Sequence, residues 1–145
     1  MRDERLMRLA IGLDPGVTTG VALWDIDGKR FTDVGSSGIV LAMRLVETAH
    51  NVGSLHVVVF EDARLRTWFG AKGRESLQGA GSIKRDCQIW AEWLALLGFP
   101  YKAVSPQSKG AKLDAKMFAR ITGWTGRTNE HARDAAALVL GWKAP

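Results

Sequence analysis

Ile11-Gly12-Leu13-Asp14-Pro15-Gly16-Val17-Thr18-Thr19-Gly20 reads as the end of a buried strand, an acid at its carboxyl end, a tight turn, and the entry to a second apolar run, Val21-Ala22-Leu23-Trp24. A carboxylate placed there has a steep desolvation cost unless a cation neutralises it, so Asp14 implies a cation and further acids to share it. Two other stretches offer such acids. Leu55 to Phe60 is a β-branched apolar run that ends at Glu61, again an acid at the carboxyl end of a strand. Asn129-Glu130-His131-Ala132-Arg133-Asp134 opens a helix with Asn129 or Thr128 as N-cap, and a spacing of three puts His131 and Asp134 on one face near its start. Asp14, Glu61 and the His131/Asp134 pair therefore form a candidate oxygen-rich site with one imidazole. Strand alternation favours Glu61 over its neighbour Asp62, because the two point in opposite directions. Glu130 is a further acid of the same first helical turn, where acids also suit the helix dipole.

Outward from this stretch, residues 8–13 and 20–26 are the first two strands, and Asp27-Gly28 leads by a hairpin into a third over 29–34. Residues 39–51 carry apolar side chains at helical spacing, with Gly53 as the stop. The strand at 55–61 follows a helix, so it is expected to lie parallel to the first through a crossover. Asp14 and Glu61 then emerge at one sheet edge, where open α/β sheets bind their ligands. Residues 62–81 lack an apolar period and read as a long, functional loop. The helix at 82–97 has two apolar stripes. One of them (Ile83, Cys87, Trp90, Leu94, Leu97) can cover the sheet, and the other (Ile89, Trp93, Leu96) needs a neighbouring helix or a second subunit. A fifth strand at 101–104, a basic helix at 111–121 with Lys112, Lys116 and Arg120 on one face, and a last helix at 129–142 complete the pattern.

The 145 residues fit one domain, 1–145. Lys and Arg number 20 against 15 Asp and Glu, a formal net charge of +5 that favours a polyanionic partner such as nucleic acid. One cysteine excludes an intrachain disulfide and a multi-cysteine zinc site. No secretory signal and no apolar stretch near the roughly 18 residues of a membrane span are present, so a cytoplasmic location is expected. Arg64, Arg66, Lys72, Arg74, Lys84 and Arg85 lie in one segment with a single acid, Glu75. With Lys109, Lys112 and Lys116 they flank the candidate site on both sides, as phosphate-binding residues would. Lys109 or Lys112 is expected beside the scissile phosphate, and Trp68 and Phe69 are placed to stack on unpaired bases.

The order β-β-β-α-β-α-β-α-α, with acids ending strands one and four and in the last helix, resembles the ribonuclease H-like fold. That is an α/β architecture with a five-stranded mixed sheet, order 3-2-1-4-5, flanked by helices. Residues 11–20 resemble the opening motif of the RuvC family of Holliday junction resolvases, and Val57-Val58-Val59-Phe60-Glu61 and His131-Ala132-Arg133-Asp134-Ala135 resemble that family's fourth strand and C-terminal helix. The resemblance implies a homodimeric endodeoxyribonuclease that cuts four-way DNA junctions, with Asp14, Glu61 and Asp134 as metal-binding acids and His131 at the remaining metal position. Two Mg²⁺ or Mn²⁺ ions roughly 4 Å apart suit phosphodiester hydrolysis, with Asp14 between them and Glu61 and Asp134 holding one each. His131 would then be a ligand or a proton acceptor for water. Arg64 stands where bacterial members carry a junction-opening aromatic, and the chain is short for a bacterial resolvase, which implies a bacteriophage or otherwise divergent member. Fold and acids alone also admit a nuclease for RNA/DNA hybrid or RNA, and a junction-binding protein without turnover.

Overall fold

In β1 (Leu9–Asp14) the side chains alternate: Leu9, Ile11 and Leu13 enter one core, while Ala10 enters a second core on the opposite face, together with Gly12 and Asp14 by parity. The structure, a computed structural model, describes residues 6–65, 74–106 and 112–144, with the backbone only over 74–80. β2 (Thr19–Asp25) and β3 (Arg30–Ser37) continue from β1 as an antiparallel meander. β4 (Leu55–Glu61) lies parallel to β1 and β5 (Tyr101–Val104) parallel to β4, giving the sheet order β3-β2-β1-β4-β5.

Four helices cover the two faces. α1 (Ile39–Asn51) and α2 (Arg74–Leu97) pack Ala42, Val46, Cys87, Trp90 and Leu94 against Ile11, Leu13, Val58 and Phe60. α3 (Ala115–Thr122) and α4 (Glu130–Val139) pack Phe118, Ala132, Ala135, Ala136 and Val139 against Ala10, Ala22 and Val59. Ile11, Phe60 and Leu94 have no exposed surface, so each adds about 1.5–3 kcal/mol over an exposed position.

α4 lies unusually close to the strands. A Cβ on Gly12 would stand 2.1 Å from the Ala135 carbonyl oxygen, and one on Gly20 1.9 Å from the His131 carbonyl oxygen. The helix meets these two glycines with alanines of its own, Ala132, Ala135 and Ala136, all buried. Backbone therefore packs on backbone over the middle of the sheet.

Several expectations are corrected. Residues 62–81 are not one loop: Ala63–Leu65 forms a single 3-10 turn, and α2 begins at Arg74, eight residues before the expected start. Gly79 and Gly81 each cost a helix about 1 kcal/mol, but Glu75, Leu77 and Gln78 are good helix formers, and an established helix propagates across isolated glycines. The basic helix starts at Ala115, because Asp114 caps it by accepting from the Met117 amide at 2.8 Å. Lys112 consequently lies outside α3 and shares no helical face with Lys116 and Arg120. β3 runs to Ser37, past the expected Val34, and α4 stops at Val139, three residues short of Trp142. The first stripe of α2 is buried at Cys87, Trp90 and Leu94. In the second, Trp93 packs edge-on against Trp90 and Phe99, while Ile89 and Leu96 remain exposed. Among the described residues no helix is long and apolar enough to cross a membrane.

Replacing Gly12 with alanine is expected to cost about 1–3 kcal/mol by forcing α4 off the sheet, read as a lower urea midpoint at unchanged slope. An unchanged midpoint would mean that α4 can lift without loss.

Candidate active site

Asp14 and Glu61 are the last residues of β1 and β4. The parallel register pairs Gly12 with Val59 and Leu13 with Phe60, so the two acids lie one step further on adjacent strands. Parity with Gly12 and Val59 directs both toward the α4 face. Across the antiparallel pair Asp14 is opposite Gly20, the residue whose missing Cβ lets the His131 backbone come down onto β2.

α4 delivers the other two groups. The Asn129 side chain caps the helix by accepting from the Ala132 amide at 2.8 Å, and its own amide donates to Ser36 Oγ at 2.7 Å, tying the cap to the end of β3. His131 Nδ1 lies 3.2 Å from Asp14 Oδ2. The imidazole is half exposed and the Asp14 side chain mostly buried. Asp134 is buried to a similar degree, and Lys112 Nζ approaches its Oδ2 at 3.7 Å while also donating to Glu130 Oε1. The hydrogen bond to Glu130, together with the fields of Asp134, Glu130 and Asp14, raises the Lys112 pKa above that of an ordinary lysine. Lys112 thus lies in the field of both Asp14 and Asp134. The Glu61 Oε2 atom is sealed from solvent.

Of two residues that sequence reasoning passed over, one organises this edge and the other lines it. Arg133, between His131 and Asp134, donates to the carbonyl oxygens of Leu113 and Thr128, each at 2.9 Å, and to Thr128 Oγ1 at 3.0 Å. It fixes the chain immediately after Lys112 to the start of α4. Arg127 lines an open cleft of ≈ 350 Å³ with Gly35, Ser36 and Asn129 beside that helix start. A lone arginine among many basic residues carries no sequence signal for either task.

Asp62 turns to the opposite face, as alternation requires. Arg64 Nε and Nη2 grip its two oxygens at 3.0 and 2.7 Å, and the Arg64 amide adds a third bond at 3.0 Å. Burial works to raise the Asp62 carboxyl, but the Arg64 bonds and charge outweigh it and hold the group below the usual carboxylate range. Cys87 of α2 closes this side: its thiol accepts from the Ala63 amide and donates to the Glu61 carbonyl, each at 3.5 Å. Burial pushes that thiol up to about 11, so Cys87 stays protonated and is a packing group rather than a nucleophile.

Of the other sequence-predicted residues, Lys84 and Arg85 lie on α2 within a turn of Cys87, and Lys116 is exposed on α3. Arg74 is the first residue of α2. Arg66, Trp68, Phe69, Lys72 and Lys109 lie outside the described residues.

Among the described residues no three His, Cys, Asp or Glu side chains close on one point as metal ligands do. The chemistry of the donors nevertheless suits a hard divalent cation: three carboxylates and an imidazole, with a side-chain ammonium already beside one of the acids, Asp134.

Among solved structures, the chain is similar to T. thermophilus RuvC in complex with Holliday junction substrate, at 18% identity and a TM-score of 0.58, covering 92% of this chain and 91% of that one. The fold is therefore ribonuclease H-like: a five-stranded mixed sheet, order β3-β2-β1-β4-β5, flanked by helices. No family model and no curated protein sequence matches the chain.

Substituting Arg64 with methionine leaves the Asp62 carboxylate buried without its guanidinium and is expected to cost about 1–3 kcal/mol at neutral pH. Because the folded-state pKa of Asp62 is depressed, the contribution of the pair is present above the unfolded value near 3.9 and is lost as pH falls through the lower folded value. Urea midpoints measured from pH 7 down to pH 2 should converge for wild type and variant at the acid end. Parallel curves would sink this account.

Proposed function

We propose that residues 1–145 are a single RuvC-type nuclease domain that hydrolyses phosphodiester bonds in four-way or otherwise branched DNA, acting as a homodimer with Mg²⁺ or Mn²⁺. The observation that carries this reading is the convergence of the acid-bearing ends of β1 and β4 with the first turns of α4 at one sheet edge, on the fold of a protein solved with a Holliday junction. Asp14, Glu61, Asp134 and His131 are the residues that would hold the ions. When bound, two such ions supply an activated water and neutralise the charge that builds on the phosphoryl oxygens.

The remaining chemistry belongs to the chain. Asp14 orients the His131 ring through Nδ1, which leaves the second ring nitrogen either to hold an ion or to take a proton from the attacking water. Lys84, Arg85, Lys116 and Arg120, on the two helices that flank the edge, hold the DNA backbone through its phosphates. Arg66, Lys72, Arg74 and Lys109 are the further phosphate contacts of this reading, and Trp68 and Phe69 the residues that stack on bases opened at the branch point. Arg64, committed to Asp62, anchors the end of β4 and leaves junction opening to those aromatics. Exposed Ile89 and Leu96 on α2 supply the apolar surface for a second subunit.

The direct test is cleavage of a labelled four-way junction, a linear duplex and an RNA/DNA hybrid of matching sequence, each with Mg²⁺, Mn²⁺ or EDTA. Paired nicks in the junction are expected, abolished by EDTA and slowed by at least about a hundredfold in Asp14→Asn, with junction binding retained. Cutting of the hybrid with an intact junction would transfer the activity to RNA, and binding without cleavage under either metal would make the protein architectural.

A further inference from the structure

Lys112 is the residue the fold uses most unexpectedly. By sequence it belongs to a basic helical face turned toward DNA, yet its ammonium lies among acids, bonded to Glu130, 3.7 Å from Asp134 and within the field of Asp14. Its place is not that of a wandering surface side chain. The Asp114 cap ends the segment on one side, and the Arg133 guanidinium holds the Leu113 carbonyl immediately beside it, so the backbone that carries Lys112 is pinned to α4 itself. The side chain remains about two-thirds exposed, which leaves it free to swing while its Cα stays fixed.

We propose that the Lys112 ammonium is a tethered counter-cation that stands in for a divalent ion at Asp134 in the metal-free protein and is displaced into the DNA-binding surface when that ion binds. The inference rests on the metal-dependent nuclease reading and deepens it. Clustered carboxylates repel one another, and a monovalent cation supplied by the chain relieves that repulsion. A divalent ion brings twice the charge to the same oxygens and wins the exchange, since exposed lysine pairs are weak. The displaced ammonium then stands beside the site where the phosphate must lie, so lysine–phosphate contact becomes conditional on metal occupancy.

The test is Mn²⁺ binding to the DNA-free protein, followed by the loss of the free-ion electron paramagnetic resonance signal, in wild type, Lys112→Met, Lys112→Arg and Asp134→Asn. Lys112→Met should bind Mn²⁺ about fivefold more tightly than wild type, the scale of one relieved ion pair. Lys112→Arg, which keeps the charge, should match wild type, and Asp134→Asn should bind more weakly than either. Thermal unfolding of each variant establishes that the fold is intact. Equal or weaker binding by folded Lys112→Met overturns the counter-cation role while leaving metal-dependent cleavage standing. Absence of Mn²⁺ binding in every variant, with junction cleavage that survives EDTA, removes the metal reading and this inference together.

Discussion

The contact on which the remainder of the structure depends is the seating of α4 directly on β1 and β2. Gly12 and Gly20 have no side chain at the two points where the carbonyls of Ala135 and His131 come down, and any Cβ there would overlap them. A helix on a sheet is ordinarily held off by the side chains of both layers. Removing them from the sheet and shortening them to alanine on the helix lets the start of α4 sink toward the carboxyl edge of β1. That sinking brings His131 Nδ1 to 3.2 Å from Asp14. The glycines do their work through packing, not through unusual backbone angles.

The two faces of the sheet edge serve different ends. On the α4 side the strands end in Asp14 and Glu61, and nearby groups are acids with a lysine among them. On the α2 side the residue after β4 is Asp62, whose charge is closed off by Arg64, with the neutral thiol of Cys87 bonded to the backbone on either side of it. Successive residues 61 and 62 thus fall into opposite environments because a strand sends neighbouring side chains to opposite faces. One acid is kept for chemistry on the proposed nuclease reading, and the next locks the strand that presents it.

On the α4 side, Arg133 joins segments that are separate in the chain. Its bonds to Leu113 and Thr128 hold together the segment that carries Lys112, the turn before α4, and α4 itself. Positive charge is therefore used in three ways around one edge: internally in Arg64 and Arg133 to fix backbone, locally in Lys112 to neutralise acids, and outwardly on α2 and α3, where it suits a polyanion.

Much of this was legible in the sequence. The alternation of β1, the hairpin at Asp27-Gly28, the helix between β3 and β4, and the acids closing two apolar runs are local patterns, and they determined the strand order and the shared edge of Asp14 and Glu61 because period and connection handedness leave few alternatives. The Asn129 cap and the spacing of His131 and Asp134 were equally local. What the tertiary structure alone decided was distance and partnership. That Gly12 and Gly20 admit a helix backbone and that Lys112 turns to acids instead of sharing a face with Lys116 depend on groups far apart in the chain, and that Arg64 folds onto its near neighbour Asp62 depends on the burial of that carboxylate in the folded chain. Local propensity cannot encode these, since each is settled by which surfaces meet once the sheet has formed.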